Sequence, residues 1–285
     1  NNLEIKTRTS VAAFHGYNYL LARENLTDHL EKKEKQGKIR QRLLKIRAKK
    51  VIVATGSLER PLIFNNNDRP GIMLSSAVKK YADHYGVICG KKNVFFTNND
   101  SAYESAISLH KKGIQVQAII DIRENSKSAI VNEAINLGIK IYWSHTVVDT
   151  YGYKKLHKIS LMELSNDGQS TIGSKINIDC DCLGVSGGWT PAVHLFTQSG
   201  GKLKFRDEDE VFIPNIYPSK QISIGSCNGD FTLNEIIKNS SNSLKEFLEI
   251  ENTEYENLNI INSIETDKRN IWLLPSDKVI GKTKP

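Results

Sequence analysis

Three stretches of small residues stand where a chain could hold a ligand by its phosphates. Ala54-Thr55-Gly56 follows the apolar run Val51-Ile52-Val53, Gly225-Ser226-Cys227-Asn228-Gly229 follows Gln221–Ile224, and residues 97–102 follow the strand-like Asn93–Thr97. A buried strand that ends in glycine or alanine lets a ligand approach the backbone, because few side-chain atoms hold it off. The full phosphate-binding pattern is G-x-G-x-x-G/A, whose glycines permit both a tight turn and that approach. Aligned on the helix that follows, its three positions are Thr97, Asn99 and Ala102, so only the last is small. Side chains at Thr97 and Asn99, with Asp100 beside them, fill the space and oppose the charge of a pyrophosphate. This turn is read as degenerate. Asp121 ends the next strand where a ribose-binding acid would stand, although a solvated acid is the plainer reading.

The remaining reactive residues offer little. Cys89, Cys180, Cys182 and Cys227 form no C-x-x-C pair, which removes dithiol redox chemistry. Cys180 and Cys182 flank one residue, a spacing that places both on one face of a buried strand, and two ligands are too few for zinc. His194, in Ala192-Val193-His194-Leu195-Phe196, is read as a structural histidine, with contact to a cofactor or partner as the alternative. No catalytic residue and no metal ligand is assigned.

The elements around these residues follow from hydrophobic period. Residues 3–23 and 38–53 read as strands around a polar, basic turn. Residues 75–86 read as a helix, Asn93–Thr97 as a strand, Ser101–Lys112 as a helix, Ile114–Asp121 as a strand, 127–138 as a helix and Ile139–Tyr142 as a strand. The order β-α-β-α-β in so short a span predicts a parallel, Rossmann-like sheet. Leu156–Leu164 and Ser174–Val185 read as an antiparallel ribbon around Asn166-Asp167-Gly168. The chain then returns through Val185–Pro191 to the strand Gln221–Ile224 and a helix over Leu233–Leu248, whose start is marked by Thr232 and Glu235 as a capping box.

Of 285 residues, 39% are apolar and 25% charged, the range of folded globular domains. The formal charge of +7 is concentrated in residues 31–50, which hold ten Lys/Arg and two acids. Without interleaved aromatics, that stripe reads as a solvated face and excludes nucleic-acid stacking. No run reaches the roughly 18 apolar residues of a membrane span, so a soluble, cytoplasmic protein is expected. The chain opens Asn1-Asn2 without an initiator Met, which suggests a piece of a longer polypeptide.

Five segments together carry a family resemblance. ATGSLERPLIF (54–64), NDRPGIM (67–73), FTNNDSAY (96–103), VSGGWTPAVHLFTQSGGKL (185–203) and IGSCNG (224–229) resemble the alpha subunit of heterotetrameric sarcosine oxidase over roughly residues 3–250. The resemblance implies an α/β, FAD/NAD(P)-binding two-domain Rossmann-like fold. A Rossmann-like NAD-type βαβ domain (75–185) is inserted into an incomplete flavin-type domain (1–60 and 186–250), and 251–285 is expected as a linker toward a folate-binding domain. It further implies that the alpha subunit binds NAD, that a beta subunit carries FAD and oxidises a secondary amine, and that FMN lies at their interface. In the whole hetero-oligomer, sarcosine is demethylated with tetrahydrofolate and oxygen. Two alternatives stay open: the alpha subunit of an opine, proline or hydroxyproline dehydrogenase, and an independent pyridine-nucleotide flavin reductase.

With the inserted turn degenerate, NAD is placed in the flavin-type crevice. Its expected lining is Val11, Ala54, Thr55, Gly56, Gly225, Ser226, Cys227, Phe231 and Thr232, with the helix start after Thr232 offering backbone N–H groups and a positive dipole end. Flavin-type sites often carry an acid after the second glycine. Ser226 in that place fits a ligand other than FAD.

Overall fold

The computed structural model describes residues 3–249 and 268–276. These divide into two compact units, one of residues 3–57 and 190–249, the other of 58–189 and 268–276. Where the sequence suggests an inserted domain over 75–185, the second unit also takes in 58–74 and 268–276.

Unit 1 begins with an antiparallel meander of β1 (Thr9–His15), β2 (Tyr19–Asn25) and, after the short helix α1 (Lys32–Lys35), β3 (Gln41–Arg47). The single strand expected over 3–23 is therefore two. Tyr17 and Asn18 turn the chain with φ of 58° and 54°, the left-handed pair that a tight hairpin requires. Asn18 is held there by its side-chain amide, which donates to the carbonyls of Lys49 and Lys220. After β3 comes β4 (Val51–Val53), whose alternate residues Val51 and Val53 are buried with Phe14 and Cys227 in the core of the unit. The strand β5 (Ser57–Glu59) lies where the chain leaves for unit 2.

Unit 2 is built on a five-stranded parallel sheet. Its strands are β6 (Ile72–Leu74), β7 (Asn93–Thr97), β8 (Val116–Asp121), β9 (Ile141–Trp143) and, after the meander β10 (His145–Tyr151), β11 (Lys158–Leu164) and β12 (Thr171–Asp179), the returning β13 (Cys182–Ser186). The order across the sheet is β6-β13-β7-β8-β9. Helices α2 (Ser75–Tyr85), α3 (Ser101–Lys111) and α4 (Ala129–Asn136) connect it. β7 and β13 are buried along their whole length, as central parallel strands covered on both faces must be.

One expected strand is corrected here. Ser174–Val185 is not continuous: β12 stays in the antiparallel meander, the chain breaks at Cys180-Asp181, and β13 joins the parallel sheet. The Asp181 carboxylate accepts from the backbone N–H groups of Lys91 and Lys92, which pins the break to the start of β7. Consequently Cys180 and Cys182 do not share a face. Cys180 lies in the core with Phe96 and Leu183, Cys182 in the one with Phe95 and Val131. Burial pushes both thiols up to about 12, so neither supplies thiolate at neutral pH.

The chain re-enters unit 1 along β14 (Trp189–Pro191) and continues through α5 (His194–Gln198), the hairpin β15 (Lys202–Arg206) and β16 (Val211–Ile216), β17 (Gln221–Ser223), and α6 (Leu233–Leu248). Phe196 is fully buried, and a Cβ at Gly201 would stand only 2.4 Å from its ring. Gly201 in QSGGKL is thus a packing requirement of the helix before it, while Gly200 stands at φ 93°. His194 lies exposed on α5 rather than in a core. The capping box at α6 is formed: Thr232 Oγ1 accepts from Glu235 N at 3.2 Å and Glu235 returns to Thr232 N at 3.1 Å. Thr232→Ala removes one half of it and should lower stability by about 1 kcal/mol, read as a shift in the urea midpoint. Among the described residues no helix is long and apolar enough to cross a membrane.

Candidate functional site

In unit 1, β4 and β17 lie parallel, with Val51, Ile52 and Val53 opposite Gln221, Ile222 and Ser223. Two parallel strands end side by side, and each runs into a glycine turn. The join is closed by Ile224 N, which donates to Val53 O at 3.0 Å. Gly56 has φ of 74° and Gly225 of 70°, a region where an L side chain is strained. Around Gly56 there is also room: a Cβ there would meet only Ser226 Oγ, at 3.9 Å. The two turns face each other across that gap, at the carboxyl ends of parallel strands, where α/β folds bind ligands.

The expected lining residues divide by what their side chains do. Ala54 and Thr55 are exposed, and Thr55 Oγ1 donates to Ala192 O at 2.8 Å while Ala192 N donates to Gly56 O at 3.0 Å. Thr55 thus braces the turn. Cys227 is buried, its Sγ 3.2 Å from Val53 O and 3.1 Å from Ile224 O, so its thiol ties the two strand ends together and only its backbone is available to a ligand. Ser226 is half-buried beside the gap. Gly225–Asn228 forms a single 3-10 turn, and Gly229 (φ 92°) leads from it to Phe231, whose ring lies 6.0 Å from the Arg206 guanidinium. Val11 stands exposed at the bulge of β1, and no hydrogen bond among the described residues ties it to either turn.

The start of α6 offers a phosphate less than its dipole alone suggests. The capping box already engages the N–H groups of Thr232 and Glu235, and Glu235 brings negative charge to the first turn. The paired glycine turns are the stronger part of the site.

Unit 2 has a corresponding place after β7, and its donors are engaged. Thr97 Oγ1 donates to Asn99 O at 2.9 Å, Ser101 N donates to Asn99 Oδ1 at 2.8 Å, and Asn99 Nδ2 donates to Asn98 Oδ1 at 2.8 Å. Residues 97–100 are all buried. Asp121, read from sequence as a ribose acid or a solvated one, is neither. It is fully buried and accepts from Arg123 Nη2 at 2.7 Å and from the Tyr103 hydroxyl at 2.8 Å, while Arg123 Nη1 donates to Asp100 at 2.8 Å. Burial raises the Asp121 carboxyl, and the guanidinium pulls it back toward the ionised form. Burial, the Asp121 charge and its hydrogen bond together raise the Tyr103 phenol. Arg123 had no signal in the sequence, since nothing there marks a basic residue after a strand as buried. A separate apolar pocket of about 260 Å³, lined by residues such as Leu62, Phe64, Met73 and Val185, contains no titratable group. Among the described residues no cluster of three or more His, Cys, Asp or Glu could hold a metal ion.

The chain is similar in sequence and in fold to known proteins. The chain is 38% identical over 226 residues to the sarcosine oxidase subunit alpha of Corynebacterium sp. (strain P-1), covering 79% of this chain and 23% of that one. With the corresponding subunit of Rhizobium meliloti the identity is 32% over 218 residues, 74% of this chain and 20% of the relative. The chain therefore spans less than a quarter of the length of the curated relatives it matches. Among solved structures, the thioredoxin reductase of T. acidophilum superimposes with a TM-score of 0.55 at 16% identity, covering 84% of this chain and 72% of that one. The L-proline dehydrogenase of P. horikoshii gives 0.51 at 20%, covering 77% and 36%. At such identities the likeness shows the fold alone, an FAD/NAD(P)-binding two-domain α/β fold. The profile of the pyridine nucleotide-disulphide oxidoreductases matches residues 15–218, and the chain belongs to that family.

Proposed function

We propose that this chain is the nucleotide-binding portion of the alpha subunit of a sarcosine-oxidising hetero-oligomer, and that it holds NAD⁺ in the crevice of unit 1 as a retained ligand. The observation that carries the binding site is the juxtaposition of Gly56 and Gly225, both at positive φ, at the ends of paired parallel strands. The residues fit a dinucleotide: the backbone around both glycines would cradle the pyrophosphate, and Ser226 leaves the neighbouring ribose a neutral hydroxyl. Cys227 and Thr55 act on the crevice by fixing its walls.

The substrate and partners rest on the named relatives, which are alpha subunits of sarcosine oxidase. In the proposed complex, FAD on a beta subunit and FMN at the interface would carry the amine oxidation, and this chain would have the tasks of binding and assembly. The chain's own thiols fit that division: Cys180, Cys182 and Cys227 are buried, and partial burial raises the thiol of the half-buried Cys89. An independent flavin reductase is disfavoured by the loop after β7, whose polar groups are turned inward. The likeness to L-proline dehydrogenase is one of fold and does not choose between amine substrates.

Turnover separates these readings. The isolated chain supplied with FAD or FMN should not oxidise NADH, whereas the assembled complex should consume oxygen with sarcosine and not with L-proline. NADH oxidation by the chain alone would favour the reductase, and proline-dependent turnover would favour the dehydrogenase.

A further inference from the structure

In the sheet of unit 2 the connections diverge at β7. Through α3 and α4 the chain moves to β8 and β9 on one side, and it returns as β13 on the other. The carboxyl ends of β7 and β13 therefore flank a topological switch point, the place where open α/β sheets form a ligand crevice. In this protein the crevice is filled by residues 268–274 of the same unit.

The seating is specific at the ends of the three central strands, β13, β7 and β8. After β7, Arg269 N donates to Asn98 O at 2.9 Å, and Asn98 Nδ2 donates to the carbonyls of Arg269 and Ile271 at 3.0 and 3.2 Å. After β8, Arg269 Nη1 donates to Ile122 O at 2.7 Å. After β13, the Trp272 indole donates to Gly187 O at 2.5 Å, with the Arg60 guanidinium 3.8 Å from its ring. Further along, Ile63 N donates to Trp272 O and Leu274 N to Ile63 O, so the segment pairs with residue 63 as a parallel strand and sinks Leu274 into the core.

Two glycines fit this occupant. A Cβ at Gly187 would stand 2.8 Å from the Pro61 carbonyl oxygen and 2.9 Å from the Trp272 ring, and one at Gly168 would come within 2.3 Å of Ile271 Cδ1. In dinucleotide sites a glycine beyond a strand end admits a phosphate to the backbone. Gly187 admits an indole instead.

We propose that the crevice of unit 2 is a peptide-binding site, occupied in cis by Lys268-Arg269-Asn270-Ile271-Trp272-Leu273-Leu274, and that this segment takes the place a second dinucleotide would have. Backbone recognition by Asn98 and anchoring by Trp272 supply the affinity, in the manner of strand addition with a side-chain pocket. The inference does not depend on which ligand unit 1 holds.

The probe is a fluorescein-labelled peptide of residues 268–276, read by anisotropy. In the full-length chain the site is occupied, so the peptide should bind weakly. With Arg269→Ala and Trp272→Ala weakening the internal segment, it should bind at least about tenfold more tightly, as expected when the competent fraction rises. Adding Asn98→Ala should abolish that gain, and NAD⁺, NADH, NADP⁺ and NADPH should not displace the peptide. Displacement by any of these, or equal binding with and without Asn98, overturns the proposal. Should the double variant not fold, hydrogen exchange on the unmodified protein decides: the amides of Arg269 and Leu274, which donate to Asn98 O and Ile63 O, should exchange at least about a hundredfold more slowly than in the free peptide. Exchange at the free-peptide rate would overturn it.

Discussion

Replacing Arg123 with methionine is expected to lower stability by about 3–5 kcal/mol, because it strands two buried carboxylates that now share one guanidinium. Asp121 and Asp100 are at most 2% exposed, and Arg123 contacts both. Burial already raises the Asp121 carboxyl, and without the guanidinium that opposes it the folded-state pKa rises further above the unfolded value. The sign follows: the defect should be greatest at high pH and shrink as pH falls through that raised value. Urea unfolding of wild type and Arg123→Met between pH 5 and 8 measures it. Arg123→Lys keeps the charge but loses the forked geometry, and should fall between the two. Combining Arg123→Met with Asp100→Asn and Asp121→Asn should recover much of the loss, since no buried charge is then unpaired. A single variant as stable as wild type at pH 8 would show that this cluster is not buried in solution as described.

The same cluster shows where sequence stopped being informative. Local pattern was sufficient for the helix Leu233–Leu248, because a capping box and an amphipathic period are written within a few residues of each other. It was sufficient for Asn93–Thr97 and the helix after it, where period and punctuation agree. It failed at Ser174–Val185, because β-prone residues continue across the break and only Asp181, through its bonds to residues 91 and 92, ends the strand. It failed for Asp121, whose burial depends on Arg123 and Tyr103, partners that no spacing rule connects to it. The segment 268–276 lies within a stretch whose composition suggests a linker. Its Trp272 and Leu274 have meaning only against Gly187 and Ile63, which are far away in sequence.

The candidate site was legible in part for the same reason. Glycine after an apolar run is a local signal, and it marks Gly56 and Gly225 without any knowledge of the fold. That Thr55 braces Ala192, or that Cys227 faces Val53, is long-range and could not be read. Likewise the sequence suggests a generous helix start at Thr232, but the capping box that identifies it also engages donors that would otherwise meet a phosphate.

If unit 1 holds NAD⁺ as proposed, its loss is the largest effect expected at this site, and it comes from Gly56→Trp. An indole at that position would fill the gap beside Ser226 and close the backbone to a pyrophosphate. Backbone strain alone, about 1–2 kcal/mol for an L residue at φ 74°, is isolated by Gly56→Ala, which adds little bulk and should retain the ligand. In unit 2, Asn99 is buried and bonded to Asn98 and Ser101, so a small replacement, Asn99→Ala, probes its loop without forcing it open. The direct measurement is the NAD⁺ released by denaturing the purified full-length subunit, compared among wild type and these three variants. Wild type, Gly56→Ala and Asn99→Ala should release equal amounts per chain, and Gly56→Trp almost none. NAD⁺ retained by Gly56→Trp and lost from Asn99→Ala would contradict the account and place the nucleotide in unit 2.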